Sequence, residues 1–177
     1  MKTKPSFRAI TVFLLLALLF VGFNAQAQKE KLQTAFIFQL TRLIEWCPEG
    51  KQGNFVIGIL GDAPALMAEL SALNGRKVVA QTIEVRTFAS TGDITNCNVL
   101  VIPSNKSGDL GAANAKVGSN CTLIISDKSG AASQGAGVSF VFLNDESKIQ
   151  YEISRGYMGK HSLNVNEQLY KLAKNVY

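Results

Sequence analysis

Three cysteines, one histidine and scattered serines and carboxylates are the residues of this chain able to do chemistry. Cys47, Cys97 and Cys121 allow one bridge with one thiol over in an oxidising compartment. Cys97 and Cys121 each stand at the entrance to a predicted parallel strand, and the first residues of neighbouring strands lie about 5 Å apart, within disulfide reach. They are the disulfide candidates, and such a bridge would serve as a redox-sensitive switch on a binding surface. The alternative keeps all three reduced as small buried hydrophobes, with Cys47 packing behind Trp46. His161 stands alone, with no His/Cys/carboxylate cluster to make it a metal ligand or a catalytic base. The chain has no Gly-x-Ser-x-Gly elbow, Ser-x-x-Lys pair, phosphate-cradling Gly-x-x-x-x-Gly-Lys or Gly-x-Gly-x-x-Gly after a strand. Gly58 and Gly61 alone read as close packing and a tight turn. The expectation is a protein that is not an enzyme, with no catalytic residue, metal or cofactor.

The compartment is written at the amino terminus. Lys2, Lys4 and Arg8 precede an unbroken apolar run from Val12 to Val21, and small residues follow as far as Ala25-Gln26-Ala27. These are the parts of a secretory signal peptide over residues 1–27, its core shorter than the ~20 residues of a membrane span. Cleavage after Ala27 leaves a mature chain of residues 28–177. Its formal charge drops from +5 to +2, because the signal carries three basic and no acidic residues. The remainder is one domain long, without a basic stripe for phosphate backbones, so nucleic acid is excluded as a partner.

The positioning elements follow from periodicity. Over Glu30 to Trp46, Leu32, Ala35, Phe36, Leu40, Leu43 and Trp46 recur at helical spacing. Phe38 falls on another side with Thr34, Thr41, Arg42 and Glu45, so either the helix is covered twice or Phe38 and Arg42 meet a partner. Phe55 to Gly61 is a continuous apolar strand of the doubly buried type. Asp62 is placed to cap the next helix, with Pro64 in its first turn and Leu66, Met67, Leu70 and Leu73 as its packing face. Thr82 to Phe88, Asn98 to Pro103 and Thr122 to Ser126 are further strands, with a weak helix over Leu110 to Val117. Val138 to Leu143 and Ile149 to Ile153 form a hairpin around a turn at Asn144 to Ser147. Val165, Leu169, Leu172 and Val176 predict a closing helix behind Asn164, whose spacing from Glu167 matches a capping box. The fold class is therefore α/β: a single domain with a mostly parallel sheet flanked by helices and a terminal antiparallel hairpin.

Open parallel sheets take ligands beyond the carboxyl ends of their strands. Gly61, Asp62, Ser104, Asn105, Ser126 and Asp127 fall there, as candidate binding residues or as ordinary turn and capping residues.

The residues also carry a resemblance. The helix with Ala35-Phe36-Ile37-Phe38 and Leu43-Ile44-Glu45-Trp46 ahead of Pro48 resembles the opening of YfiR-like bacterial periplasmic proteins. Phe55 to Gly61 is similar to the family's first strand. Cys97 to Pro103 resembles its strand opened by Cys-His, with Asn98 replacing the histidine. Leu123 to Asp127 and Lys148 to Ile153 resemble later blocks, and Leu169, Leu172 and Ala173 fit the closing helix. The resemblance implies a periplasmic regulator that binds and represses a membrane diguanylate cyclase, so that release raises cyclic di-GMP and favours biofilm. It also implies disulfides, with Cys97 on a family cysteine position. The implied partner is the periplasmic region of a membrane signalling protein, a cyclase or histidine kinase, released by envelope or redox signals. A small-ligand binding protein of the periplasm is the alternative, and a homodimer is left open.

Overall fold

The computed structural model describes residues 28–143 and 148–177, so the expected signal peptide and the Asn144 to Ser147 turn lie outside the described residues. The chain runs α1 (residues 28–43), β1 (Ile44–Glu45), β2 (Phe55–Leu60), α2 (Pro64–Ser71), β3 (Lys77–Val78) and β4 (Gln81–Phe88). Then come β5 (Val99–Ile102), α3 (Leu110–Val117), β6 (Leu123–Ser126), β7 (Val138–Leu143) and β8 (Lys148–Ile153). α4 (Arg155–Lys160), β9 (Asn164–Val165), α5 (Glu167–Leu172) and β10 (Asn175–Val176) complete it.

Eight strands make one sheet in the order β10-β8-β7-β6-β5-β2-β4-β3. β4, β2, β5, β6 and β7 run parallel, while β8 returns antiparallel beside β7 and β3 beside β4. This is the α/β domain expected, parallel sheet and terminal hairpin included. Every residue of β2, β5 and β6 is buried, because helices and loops cover both faces of the sheet. Gly58 is required in β2 because the Phe88 ring occupies the space a Cβ would take. A separate antiparallel pair, Ile44↔Val165 and Glu45↔Asn164, ties the end of α1 to the carboxyl-terminal region.

Three local expectations are corrected. The buried stripe of α1 is Glu30, Gln33, Thr34, Ile37, Leu40 and Thr41, continued by Ile44, while Ala35 is exposed and Leu43 is 51 % exposed. α2 is capped by Ala63 without a side-chain bond, and Asp62 stands one residue too early, because the chain turns first at Gly61 (φ +77°). α5 is capped by Asn166, whose Oδ1 accepts the Gln168 amide at 2.8 Å, and not by Asn164, which pairs in β9. Val165 and Val176 likewise belong to strands, so the closing helix is only Glu167–Leu172. No helix among the described residues is long and apolar enough to cross a membrane.

Candidate functional site

A cleft of roughly 680 Å³ opens at the amino-terminal edge of the sheet, where β2, β5 and β6 begin. Cys47, Cys121, Cys97, Asn98, Arg86 and His161 are among its lining residues. Asn98 builds its floor: Oδ1 accepts the Val56 amide at 2.9 Å, and Nδ2 donates to the Gly50 carbonyl at 2.6 Å. The residue standing where the resembling family carries histidine is thus a backbone clamp.

The disulfide joins Cys47 to Cys121, with Cα atoms 6.0 Å apart, and Cys97 is free and buried. This corrects the expected Cys97–Cys121 pairing. The β5–β6 ladder starts at Val99↔Leu123, so both of those cysteines precede the paired run and its register does not dictate their contact. The turn ahead of β6 instead sets the Cys121 sulfur against the 47–50 segment. There the Cys47 amide donates to it at 3.0 Å, and a Cβ on Gly50 would approach it to 3.0 Å. Burial pushes the Cys97 thiol up to about 12, against the opposing pull of Arg86 and Thr122. At neutral pH it is a protonated, inert thiol.

His161 is fully buried, its ring stacked on Tyr157 at 4.0 Å between centroids. A carbonyl can only accept, so Nδ1–H donates to Asn120 O (2.8 Å), and the neutral ring carries its proton on Nδ1. Burial holds the imidazole below its ordinary value, and Nε2 has no hydrogen-bond partner. The Tyr157 hydroxyl donates to Thr122 O and accepts the Ile124 amide, linking His161's platform to the start of β6. At the rim, Glu84 accepts from Arg86 at 2.6 Å and from Asn54 at 3.0 Å, bonds that hold its carboxyl down to about 2. The cleft therefore offers a disulfide, neutral hydrogen-bonding groups, the Glu84–Arg86 ion pair and the exposed Glu49 carboxylate. No group of three or more metal-binding side chains occurs among the described residues.

The residues predicted at the opposite edge do lie where β2, β5 and β6 end. Counting the parallel strands alone, the order is 2-1-3-4-5, which places the switch point between β2 and β5, at Gly61-Asp62 and Ser104-Asn105. Gly61 is covered by the Lys106 stem and donates its amide to Phe88 O at 2.7 Å. Asp62, Ser104 and Asn105 are exposed. Ser126 is buried and accepts the Lys128 amide. Burial raises the Asp127 carboxyl, offset by Lys29 at 4.0 Å and by hydrogen bonds from Ser104. Ser104 and Asp127 are thus brought together.

Phe38 and Arg42 occupy a flank of α1 well away from Asp127. Phe38 is half-buried against the core, and two guanidinium groups lie over its ring, Arg42 at 5.9 Å and Arg76 at 4.2 Å. Arg76, Asn98 and Cys47 were not nominated from sequence. The cue for Cys47 was its place between Trp46 and Pro48, just past a helix, where a turn presents a side chain to a distant loop.

A family model described as YfiR/HmsC-like matches residues 30–174. No curated protein matches the chain. Among solved structures it is similar to the ABC domain in complex with L-Trp from Streptococcus pneumonia, at 13 % identity and TM-score 0.55, covering 85 % of this chain and 60 % of that one. It is also similar to a conserved domain protein from Vibrio cholerae, at 12 % identity and TM-score 0.54, covering 81 % of this chain and 60 % of that one. The chain thus spans less than two thirds of either structure, and at such identity the likeness is one of fold alone.

Proposed function

The chain belongs to the YfiR/HmsC-like family, and on that premise we propose that it is an exported periplasmic regulator. In this reading it binds and represses a membrane signalling protein of the diguanylate cyclase type and is released by an envelope or redox signal. Binding carries the function, and the chain performs no reaction of its own.

The observation that carries the reading is the bridge in the cleft wall. Cys47 follows α1 and β1, whereas Cys121 belongs to the loop entering β6, so the bond ties two distant segments across one surface. Reduction would free both walls and change the shape presented to a partner, while a stable bridge agrees with an oxidising compartment. The released state need only differ from the bridged one in partner affinity.

A second reading, a small-ligand receptor, is favoured by the switch point at Gly61-Asp62 and Ser104-Asn105, with Ser126-Asp127 beside it. One similar structure is titled as a complex with L-Trp, which supports the same alternative. The two readings separate by capture. The tagged chain, residues 1–177 produced in a Gram-negative host, is mixed with detergent-solubilised membranes with and without reductant, and bound proteins are identified by mass spectrometry. The regulator reading expects a cyclase or kinase in the oxidised sample and a smaller yield after reduction. Absence of any membrane protein in both samples, with folded bait, would favour the receptor.

A further inference from the structure

We propose that Lys31, Phe38 and Arg42 along one side of α1, with Arg76 set against them, form the docking stripe for an acidic segment of the membrane signalling protein. The inference rests on the regulator reading and names the chemistry of its contact surface.

At about 100° per residue, Lys31, Phe38 and Arg42 fall within about 40° of one another, on one flank of the helix. Lys31, Arg42 and Arg76 are exposed, and Phe38 is half-buried with both guanidinium groups set against its ring. Of the four arginines among the described residues, Arg86 and Arg155 each grip a glutamate. Arg42 and Arg76 instead converge on a single ring, at 5.9 and 4.2 Å, and neither makes an ion pair among the described residues. Lys31 makes none either, although Lys51, Lys106 and Lys29 do.

The ring attracts each cation, but it also holds two like charges near one another, which repel. A carboxylate entering between them removes that repulsion and accepts charge-assisted bonds from two planar donor forks. Lys31 stands two turns away from Phe38, about 10 Å along the axis, where a second carboxylate would be met. That separation equals about three residues of extended chain or seven of helix, so the matching segment carries acidic residues at one of those intervals. A membrane surface fits less well, since lipid headgroup binding uses clusters of about 4–8 basic residues and this stripe is centred on a packed aromatic.

The test uses the chain of residues 1–177 and two labelled probes: an extended peptide with glutamate at every third position between glycine and serine, and its glutamine counterpart. Fluorescence anisotropy is read at low and high salt for the wild type, for the double variant R42Q/R76Q and for F38L. The glutamate peptide should bind the wild type, weaken at least tenfold with R42Q/R76Q and be released by salt, and the glutamine peptide should not bind. F38L should weaken binding severalfold, and circular dichroism should report unchanged folding for both variants. Absence of glutamate-peptide binding, equal binding by R42Q/R76Q, or co-sedimentation of the wild type with phosphatidylglycerol vesicles would overturn the assignment. Membrane-protein capture that survives in R42Q/R76Q would leave the regulator standing and remove the stripe. Peptide binding without any capture by the wild type would remove the regulator reading, and the assignment of the stripe to a membrane protein with it, leaving an acidic-peptide site alone.

Discussion

His161 packs its ring on Tyr157 and gives Nδ1–H to the Asn120 carbonyl, with burial holding its pKa below that of a free imidazole. A folded-state pKa below the unfolded one means that the unfolded chain takes up a proton the native ring refuses. The stability this neutral ring contributes is complete above the unfolded value and is lost as pH falls from there through the folded value. Urea midpoints measured from pH 7.5 to 5.5 should therefore decline for the wild type and decline less for His161→Phe, which keeps an aromatic ring but cannot titrate. Parallel slopes would mean that the imidazole titrates alike in the folded and unfolded chain, so that burial does not shift it. The histidine was visible in the sequence as an isolated residue. Its burial was not, because the contacts that enclose it come from Tyr157 one helical turn away and from Asn120 across the cleft.

At the scale of the element, α1 shows how a correct period can carry a wrong phase. Its helical character follows from apolar residues at three and four residue intervals, but the stripe facing the sheet includes Gln33, Thr34 and Thr41. Thr41 is made compatible with burial by donating its hydroxyl to the Phe38 carbonyl at 2.7 Å, a local bond that hydrophobicity alone does not register. Ile37, at 0 % exposure, is the centre of that stripe, whereas Leu43 lies outside it. Replacing Ile37 by Ala should cost about 2–5 kcal/mol through a cavity and lost burial. Leu43→Ala should stay within about 0.5 kcal/mol, as expected of an exposed side chain. Chemical denaturation of both variants checks the phase, and a larger loss for Leu43→Ala would restore the stripe expected from hydrophobic periodicity. The Arg42 and Arg76 convergence on Phe38 belongs to this scale as well, since half of it comes from α1 and half from the segment between α2 and β3.

For the whole molecule, the Cys47–Cys121 bond spans a sequence separation of 74 and links the end of the α1–β1 segment to the middle of the parallel sheet. A disulfide that constrains the unfolded chain typically contributes about 2–4 kcal/mol. Cys47→Ser should lower stability by that amount, reductant should lower the wild type equally, and Cys97→Ser should leave the effect of reductant unchanged. Denatured, unreduced wild type should show one reactive thiol and Cys97→Ser none. A peptide map linking Cys97 to Cys121 would reverse the assignment.

The strands were legible because each is a short, dense apolar run bounded by turn residues, and β2, β5 and β6 are buried on both faces with nothing else to explain them. The alternation of those runs with helical segments was enough to specify a mostly parallel sheet, and the alternating Ile149, Tyr151 and Ile153 were enough to specify the final hairpin. These features are local: a pattern of about five to fifteen residues decides them, and the sheet then follows from the need to bury what the pattern exposes. The bridge partner of Cys121, the enclosure of His161, the clamp at Asn98 and the approach of Arg76 to Phe38 are of another kind. Each joins residues far apart along the chain, through loops whose course no local period records. Only the folded path of the backbone brings them within a few ångströms.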